Sequence, residues 1–443
     1  GDQAELLALG HKQDAVEVIA DVLHGHRKRH LAQQVLQRLL RHGKHGAERG
    51  GFLHQREVFG RQALQREAAL ATLEHQLARA RFQAHRLVAR HGAQDVDQLA
   101  RAQRGGEVAV VAIEAGGGAV AIYHRGELVA DIWGGKRNLE GDDWEGDTVA
   151  LSFSTTKGVV ATVAHRLVDQ GLLDVHSAVA DYWPEFGTAD KSEIKVRHLL
   201  DHSAGMHSLH GVVDDAFELL DWQRTTEALA GASPAWKPGS RHGYHGITFG
   251  FLVGEVIKRV TGLSVNEAVQ REVVEPLGLD SMSIGWPEER APERADLIIR
   301  RSPAERFEPG LGMLGRISVL RPTLDAFVVP LFTELIARDS IYEAELPALN
   351  GCFTARALAG MYSVLADGGL GPNGEYLSSE TLKNATTIQE LKVRPDAVVG
   401  FPMRWRLGYH MAATNRGILP GGFGHFGFGG SGAWAGQARH RHQ

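Results

Sequence analysis

The spacing of apolar residues changes period several times along this chain, and each change predicts an element. Gly118–Tyr123 and Glu127–Trp133 alternate apolar and polar positions on either side of Arg125-Gly126, which predicts a β-hairpin ended by Gly134-Gly135. A short apolar entry follows (Val149, Ala150, Leu151, Phe153). The period then lengthens, with Val160, Val163, Ala164 and Leu167 at helical spacing and Gly171 as a stop. A second amphipathic helix carries Phe249, Leu252, Val256, Ile257 and Val260 on one face and stops at Gly262, and a third runs from Thr354 to Leu365. Between Val175 and Glu345 the pattern is mainly helical, with loops marked by Pro184, Pro234, Pro238, Pro276 and Pro287. The last patterned stretch is a Gly-rich strand region, Gly421–Trp434. Strands at both ends of a helical middle predict an α+β fold, an antiparallel sheet flanked by helices with an inserted all-α domain. The expected domains are a sheet-containing catalytic domain over 106–175 and 346–436 and a helical domain over 176–345.

Residues 1–104 break with this. They contain no Ser, Asn, Pro, Trp or Tyr and a single Thr, and they carry 17 basic side chains against 11 acidic ones, while the whole chain has a net charge of −5. Helical spacing exists (Leu64, Ala68, Leu73, Leu77), but capping and turn residues are nearly absent. Segment 1–105 is therefore expected to be foreign to the native fold, as if read from another frame of GC-rich DNA. The tail after Ala435, Gly436-Gln437-Ala438-Arg439-His440-Arg441-His442-Gln443, has the same character, and 437–443 is expected to be aberrant too. A chain so ended is expected to fold poorly, because the strand at Gly421–Trp434 would lack cover.

Charge and cysteine content narrow the function. The acidic balance argues against a polyanionic partner for the chain as a whole. In the basic segment Asp14, Glu17, Asp21, Glu57, Glu67 and Glu74 interrupt the positive charge and no nucleic-acid motif appears, so no nucleic-acid partner is expected. The single cysteine, Cys352, excludes an intramolecular disulfide and a cysteine metal cluster. His24, His26, His30, His42 and His45 have no carboxylate or cysteine spaced to complete a metal site. With no run of eighteen apolar residues and no signal-like start, a cytoplasmic location without a membrane partner is expected.

The chemistry concentrates at Ser154-Thr155-Thr156-Lys157. Three residues apart, a serine and a lysine share one helix face. A serine hydroxyl alone is too weak to attack a carbonyl, and an adjacent amine can take its proton. Ser154 also falls at a helix N-terminus, where free N–H groups favour developing negative charge. A second match, Ser192-Glu193-Ile194-Lys195, lacks the strand-like entry and reads as structural. Such a site needs a group to carry the proton to the leaving group, and Tyr244 fits, in a turn-rich loop (Trp236 to Gly246) just before a helix. Lys157 is expected to lower the Tyr244 pKa by favouring the phenolate. In Phe423-Gly424-His425-Phe426-Gly427-Phe428-Gly429-Gly430-Ser431-Gly432 the glycines allow close approach of a substrate, and His425 is placed to orient an acyl group or to hydrogen-bond the Tyr244 oxygen. Gly430-Ser431-Gly432 is not a nucleophile elbow, since the second flanking glycine is missing.

Ser154, Tyr244 and His425, together with Leu199-Leu200-Asp201-His202-Ser203-Ala204-Gly205, occur in the order and at the separations of the class C β-lactamase-like serine hydrolases, which use a Ser-x-x-Lys nucleophile. From about Gly117 to Ala435 the chain most resembles the family VIII carboxylesterases of actinobacterial type, through Tyr244-His245-Gly246-Ile247-Thr248-Phe249-Gly250, Asp181-Tyr182-Trp183-Pro184-Glu185-Phe186 and Arg404-Trp405-Arg406-Leu407-Gly408-Tyr409. The resemblance implies a β-lactamase/penicillin-binding-protein-like fold and hydrolysis of short-chain acyl esters without cofactor or metal. It implies an acyl-enzyme on Ser154, Lys157 and Tyr244 as joint general base, and an oxyanion hole from the N–H groups of Ser154 and Phe428, with His425 and Gly427 beside it. His202 is read as structural. β-Lactamases carry a lysine where this chain has His425 and an asparagine where it has Gly246, so esters are favoured over antibiotics. A β-lactamase, a D-amino-acid peptidase or amidase, and a non-catalytic relative or inactive truncated product stand as alternatives.

Overall fold

The computed structural model describes residues 116–298, 321–389, 392–414 and 417–436, all within one compact unit, Gly92–Gln443. The segment 1–105, its histidines and the tail 437–443 lie outside the described residues. Strands β1 (Gly117–His124) and β2 (Glu127–Gly135) form the expected antiparallel hairpin. Its turn residues, Arg125 (φ 53°) and Gly126 (φ 77°), both sit in the left-handed region, the turn whose twist matches two paired strands.

Short β3 (Ala150–Leu151) leads through a 3₁₀ turn, Phe153–Thr155, into helix α1 (Thr156–Asp169). This helix is buried on nearly every face, from Val159 through Leu167, and forms the axis of the core. It stops where expected, with Gly171 (φ 72°) returning its N–H to Val168. Helices α2 (Val196–Leu200) and α3 (Trp222–Gly231) belong to the helical middle. α4 (Thr248–Thr261) packs against α1 and ends at left-handed Gly262.

Strand β4 (Met282–Ile284) pairs with β5 (Gly351–Phe353), whose other edge takes β3, in the order β3-β5-β4. This small sheet pins the entry to α1: Ser152 donates its N–H to Gly351, and Gly351 donates to the Thr156 hydroxyl. α5 (Ala355–Ala366), capped by the Thr354 hydroxyl, lies against β1 and against the last sheet. α6 (Ser379–Thr386) packs on α1. That last sheet has β7 (Gly417–Phe426) at its centre, flanked by β6 (His410–Thr414) and β8 (Gly432–Gly436), all antiparallel. The expected class is met: antiparallel strands at both ends of a helical middle, with helices covering them.

Candidate active site

Ser154 sits in the 3₁₀ turn one step before α1, and Lys157 in the helix's first turn. The Nζ of Lys157 lies 3.0 Å from the Ser154 Oγ and donates to the Ala348 carbonyl, also at 3.0 Å. That carbonyl belongs to a loop held by Asn350, whose amide bridges Ile341, Ala344 and Leu346. Lys157 is wholly buried, with the rings of Tyr244 and Phe249 over its ammonium position at 5.1 and 5.9 Å. Burial drives its pKa well below that of a free lysine. A neutral amine beside a serine hydroxyl can accept its proton, which an ammonium cannot.

Tyr244 is brought to the same place, its ring over the Lys157 amine at 5.1 Å, with the Ser154 hydroxyl among the groups that act on its phenol. Trp405 stacks on the ring at 5.4 Å, Phe327 and His425 lie at 5.8 and 6.0 Å, and His202 meets it edge-on at 5.1 Å. The expectation that Lys157 would lower the Tyr244 pKa is overturned. Burial raises it well above the ordinary phenol value, and the Ser154 hydrogen bond only partly opposes this. The cause is that protein closes over the ring and disfavours the charged phenolate, and Lys157 is not among the groups that oppose this.

His425, on β7, is also brought to the site, but not as a partner of the Tyr244 oxygen. Its Nδ1 pairs with its neighbour's carbonyl, Phe426, at 2.9 Å, and its buried Nε2 has no partner. Burial, with His410 and Lys157 adding to it, pushes its pKa well down, so the ring is neutral. His410, on β6, accepts the Phe426 N–H at 3.1 Å and so steadies the strand that carries His425.

Beyond β7 the chain crosses the nucleophile turn at Gly427. A side chain has no room there: a Cβ would fall 2.3 Å from the Ser152 carbonyl, 2.2 Å from the Ser431 hydroxyl and 2.9 Å from that of Thr155. Ser431 stitches the two segments, donating to Ser152 at 2.7 Å and receiving Thr155 at 3.3 Å. The 3₁₀ turn Phe428–Gly430 thereby rests beside Phe153–Thr155, with the Phe428 and Phe153 rings edge-on at 5.6 Å. All six residues singled out from sequence (Ser154, Lys157, Tyr244, His425, Gly427, Phe428) thus converge, whereas Ser192 is exposed in a turn.

Sequence reasoning missed Asp396, His410 and the Ala348 carbonyl, and it dismissed Ser431 on the absent elbow alone. His202 is buried at φ 61°, its carbonyl receives Gly243 and its Nδ1 receives the N–H of His245, so it braces the loop on both sides of Tyr244. Among the described residues no group of three or more His, Cys, Asp or Glu is arranged to hold a metal, and no helix is long and apolar enough to cross a membrane.

The Beta-lactamase family model matches residues 96–439. The chain is 36% identical over 340 residues to the esterase/beta-lactamase LipL of Mycobacterium tuberculosis, covering 72% of this chain and 74% of LipL. It is 30% identical over 253 residues to the esterase EstB of Burkholderia gladioli, covering 48% of this chain and 62% of EstB. A family VIII carboxylesterase structure superposes with a TM-score of 0.64 at 31% identity, covering 76% of this chain and 86% of that one. A penicillin-binding protein homologue from Caulobacter crescentus superposes with a TM-score of 0.62 at 31% identity, covering 77% and 87%.

Proposed function

Because the chain belongs to the β-lactamase family of serine hydrolases, we propose that it is a carboxylesterase acting on small acyl esters through an acyl-enzyme on Ser154. The observation that carries this reading is the 3.0 Å approach of a buried Lys157, its pKa driven down by burial, to the Ser154 hydroxyl, with the Tyr244 ring over the same amine at 5.1 Å. Lys157 takes the Ser154 proton as Oγ attacks the ester carbonyl. Tyr244, which stays protonated, hands a proton to the departing alkoxide and is refilled by the proton that Lys157 took from Ser154. In the second half, water replaces the serine and the same groups run in reverse. The developing oxyanion is received by the N–H groups of Ser154 and Phe428, each such donor being typically worth about 2.7–4 kcal/mol. The contact of Phe428–Gly430 with the nucleophile turn supports that role.

Esters are favoured over β-lactams by His425. A neutral imidazole stands where a lysine would meet the antibiotic's carboxylate, and burial keeps it neutral. LipL carries both activities in its name, so β-lactam hydrolysis is the second reading. The substrate is a small ester, with neither a nucleic acid nor a membrane as partner. The test is labelling with a serine-reactive p-nitrophenyl phosphonate, followed by peptide mass spectrometry. One adduct on the Ser154 peptide, with loss of p-nitrophenyl acetate hydrolysis in step, is the expected result. Labelling at Ser192 or Ser431 would refute the assignment.

A further inference from the structure

Asp396 stands 152 residues beyond Tyr244 in sequence and is nearly buried, at 4% exposure. Its Oδ1 accepts the backbone N–H groups of Tyr244 (3.1 Å), Val398 (2.8 Å) and Val399 (3.0 Å). Its Oδ2 accepts the indole N–H of Trp405 at 2.8 Å. Trp405 is the ring stacked on Tyr244, with only 18° between the planes. One carboxylate therefore fixes the backbone of Tyr244 with one oxygen and the wall behind its ring with the other. The neighbouring Ala397 N–H to His242 carbonyl bond, 3.0 Å, ties the same loops together.

We propose that Asp396 is a positioning residue for Tyr244, setting both the placement of the phenol and its protonation during ester hydrolysis; this rests on the reading of Tyr244 as the proton carrier. Burying a carboxylate is expensive unless hydrogen bonds satisfy it, and charge-assisted bonds of this kind are strong and directional. An amide would serve the three backbone N–H groups equally well. Only a carboxylate also accepts the indole N–H, and only a carboxylate puts a negative charge behind the phenol. The titratable groups facing the Tyr244 ring are Lys157 from α1, His202 from the turn after α2 and His425 from β7. Burial lowers the pKa of all three. The Asp396 charge adds to burial in keeping Tyr244 protonated.

The deciding variant is Asp396→Asn, which keeps the shape and the three backbone acceptances but turns an N–H toward Trp405 and removes the charge. With p-nitrophenyl acetate as probe and rates taken per phosphonate-titrated site, kcat should fall about tenfold, as a sub-ångström displacement of a reacting group would cost. KM should stay within threefold, and the basic limb of the kcat–pH profile should move to lower pH. An unchanged kcat per active site with an unmoved pH profile would overturn the inference, even if thermal stability dropped, because the role would then be structural only. Absence of ester turnover in the unaltered chain would sink the esterase reading instead. The inference is then decided by near-ultraviolet circular dichroism, each spectrum taken as the difference from its Tyr244→Phe counterpart: a changed Tyr244 contribution in Asp396→Asn, reporting an altered stack on Trp405, supports it, and an unchanged one overturns it.

Discussion

Replacing Gly427 with alanine should cost about a hundredfold in turnover while leaving the protein folded. The added Cβ would sit 2.3 Å from the Ser152 carbonyl, and real Cβ contacts essentially never fall under 3.0 Å. The strand end must therefore retreat from the nucleophile turn by at least about 0.7 Å, since the Ser152 carbonyl is backbone and bonded to Ser431. A displacement of about 1 Å at groups aligned on a reacting centre costs on the order of 10² in rate, which is about 2.7 kcal/mol of barrier. The Phe428 N–H moves with Gly427, so the loss should appear in kcat, with KM little changed. The assay is p-nitrophenyl acetate hydrolysis, with active sites counted by phosphonate and folding followed by thermal melting. A Gly427→Ala protein that keeps a native melt and turns over within threefold of the parent would show that Phe428–Gly430 does not hold an oxyanion donor against Ser154.

Lys157→Ala and Tyr244→Phe should each remove most activity, on the order of 10²–10⁴, and the double variant should be scarcely worse than either; multiplying losses would separate the two residues. Penicillin hydrolysis should be far slower than ester hydrolysis, and His425→Lys should narrow the gap; equal rates in the parent chain would remove the role given to His425. Stability should fall on acidification from about pH 6.5 downward. His165 and His410 are held neutral by burial with pKa values lowered from 6.5 to about 4, and His245 to about 3. The unfolded chain binds these protons below about pH 6.5 while the folded one does not, so each ring removes up to roughly 3 kcal/mol as the pH drops toward 4. A urea midpoint that stays flat from pH 6.5 to 4.5 would contradict this.

The periodic elements were legible in the sequence because the core side chains themselves set the period. The stretch Val160 to Leu167 reads as a helix and lies buried in α1, and Gly171 and Gly262 mark chain reversals that only a left-handed residue makes without strain. The Ser-x-x-Lys pair was legible because its geometry is local to one helical turn. The sign of the Tyr244 shift was not, because it depends on how much protein closes over the ring and over Lys157. Asp396 and His410 were invisible for a related reason. An aspartate in a loop and a histidine opening a strand carry no local signal, and their partners are distant or set by strand register. Ser431 was judged by the glycines around it, when its work is done on Ser152 and Thr155.

The span of those bonds bears on when the site comes into being. Ser431 reaches back 279 residues to Ser152 and 276 to Thr155, Lys157 reaches forward 191 to Ala348, and Asp396 reaches back 152 to Tyr244. Contacts of such separation form late, because long loops must close before they are rewarded. The nucleophile and its base lie on one early helical turn, yet the phenol and the strand beside them are fixed only after the last strands have docked. During refolding, helical signal should therefore recover well before phosphonate reactivity does, and the labelling rate of Ser154 becomes a clock for completion of the whole fold.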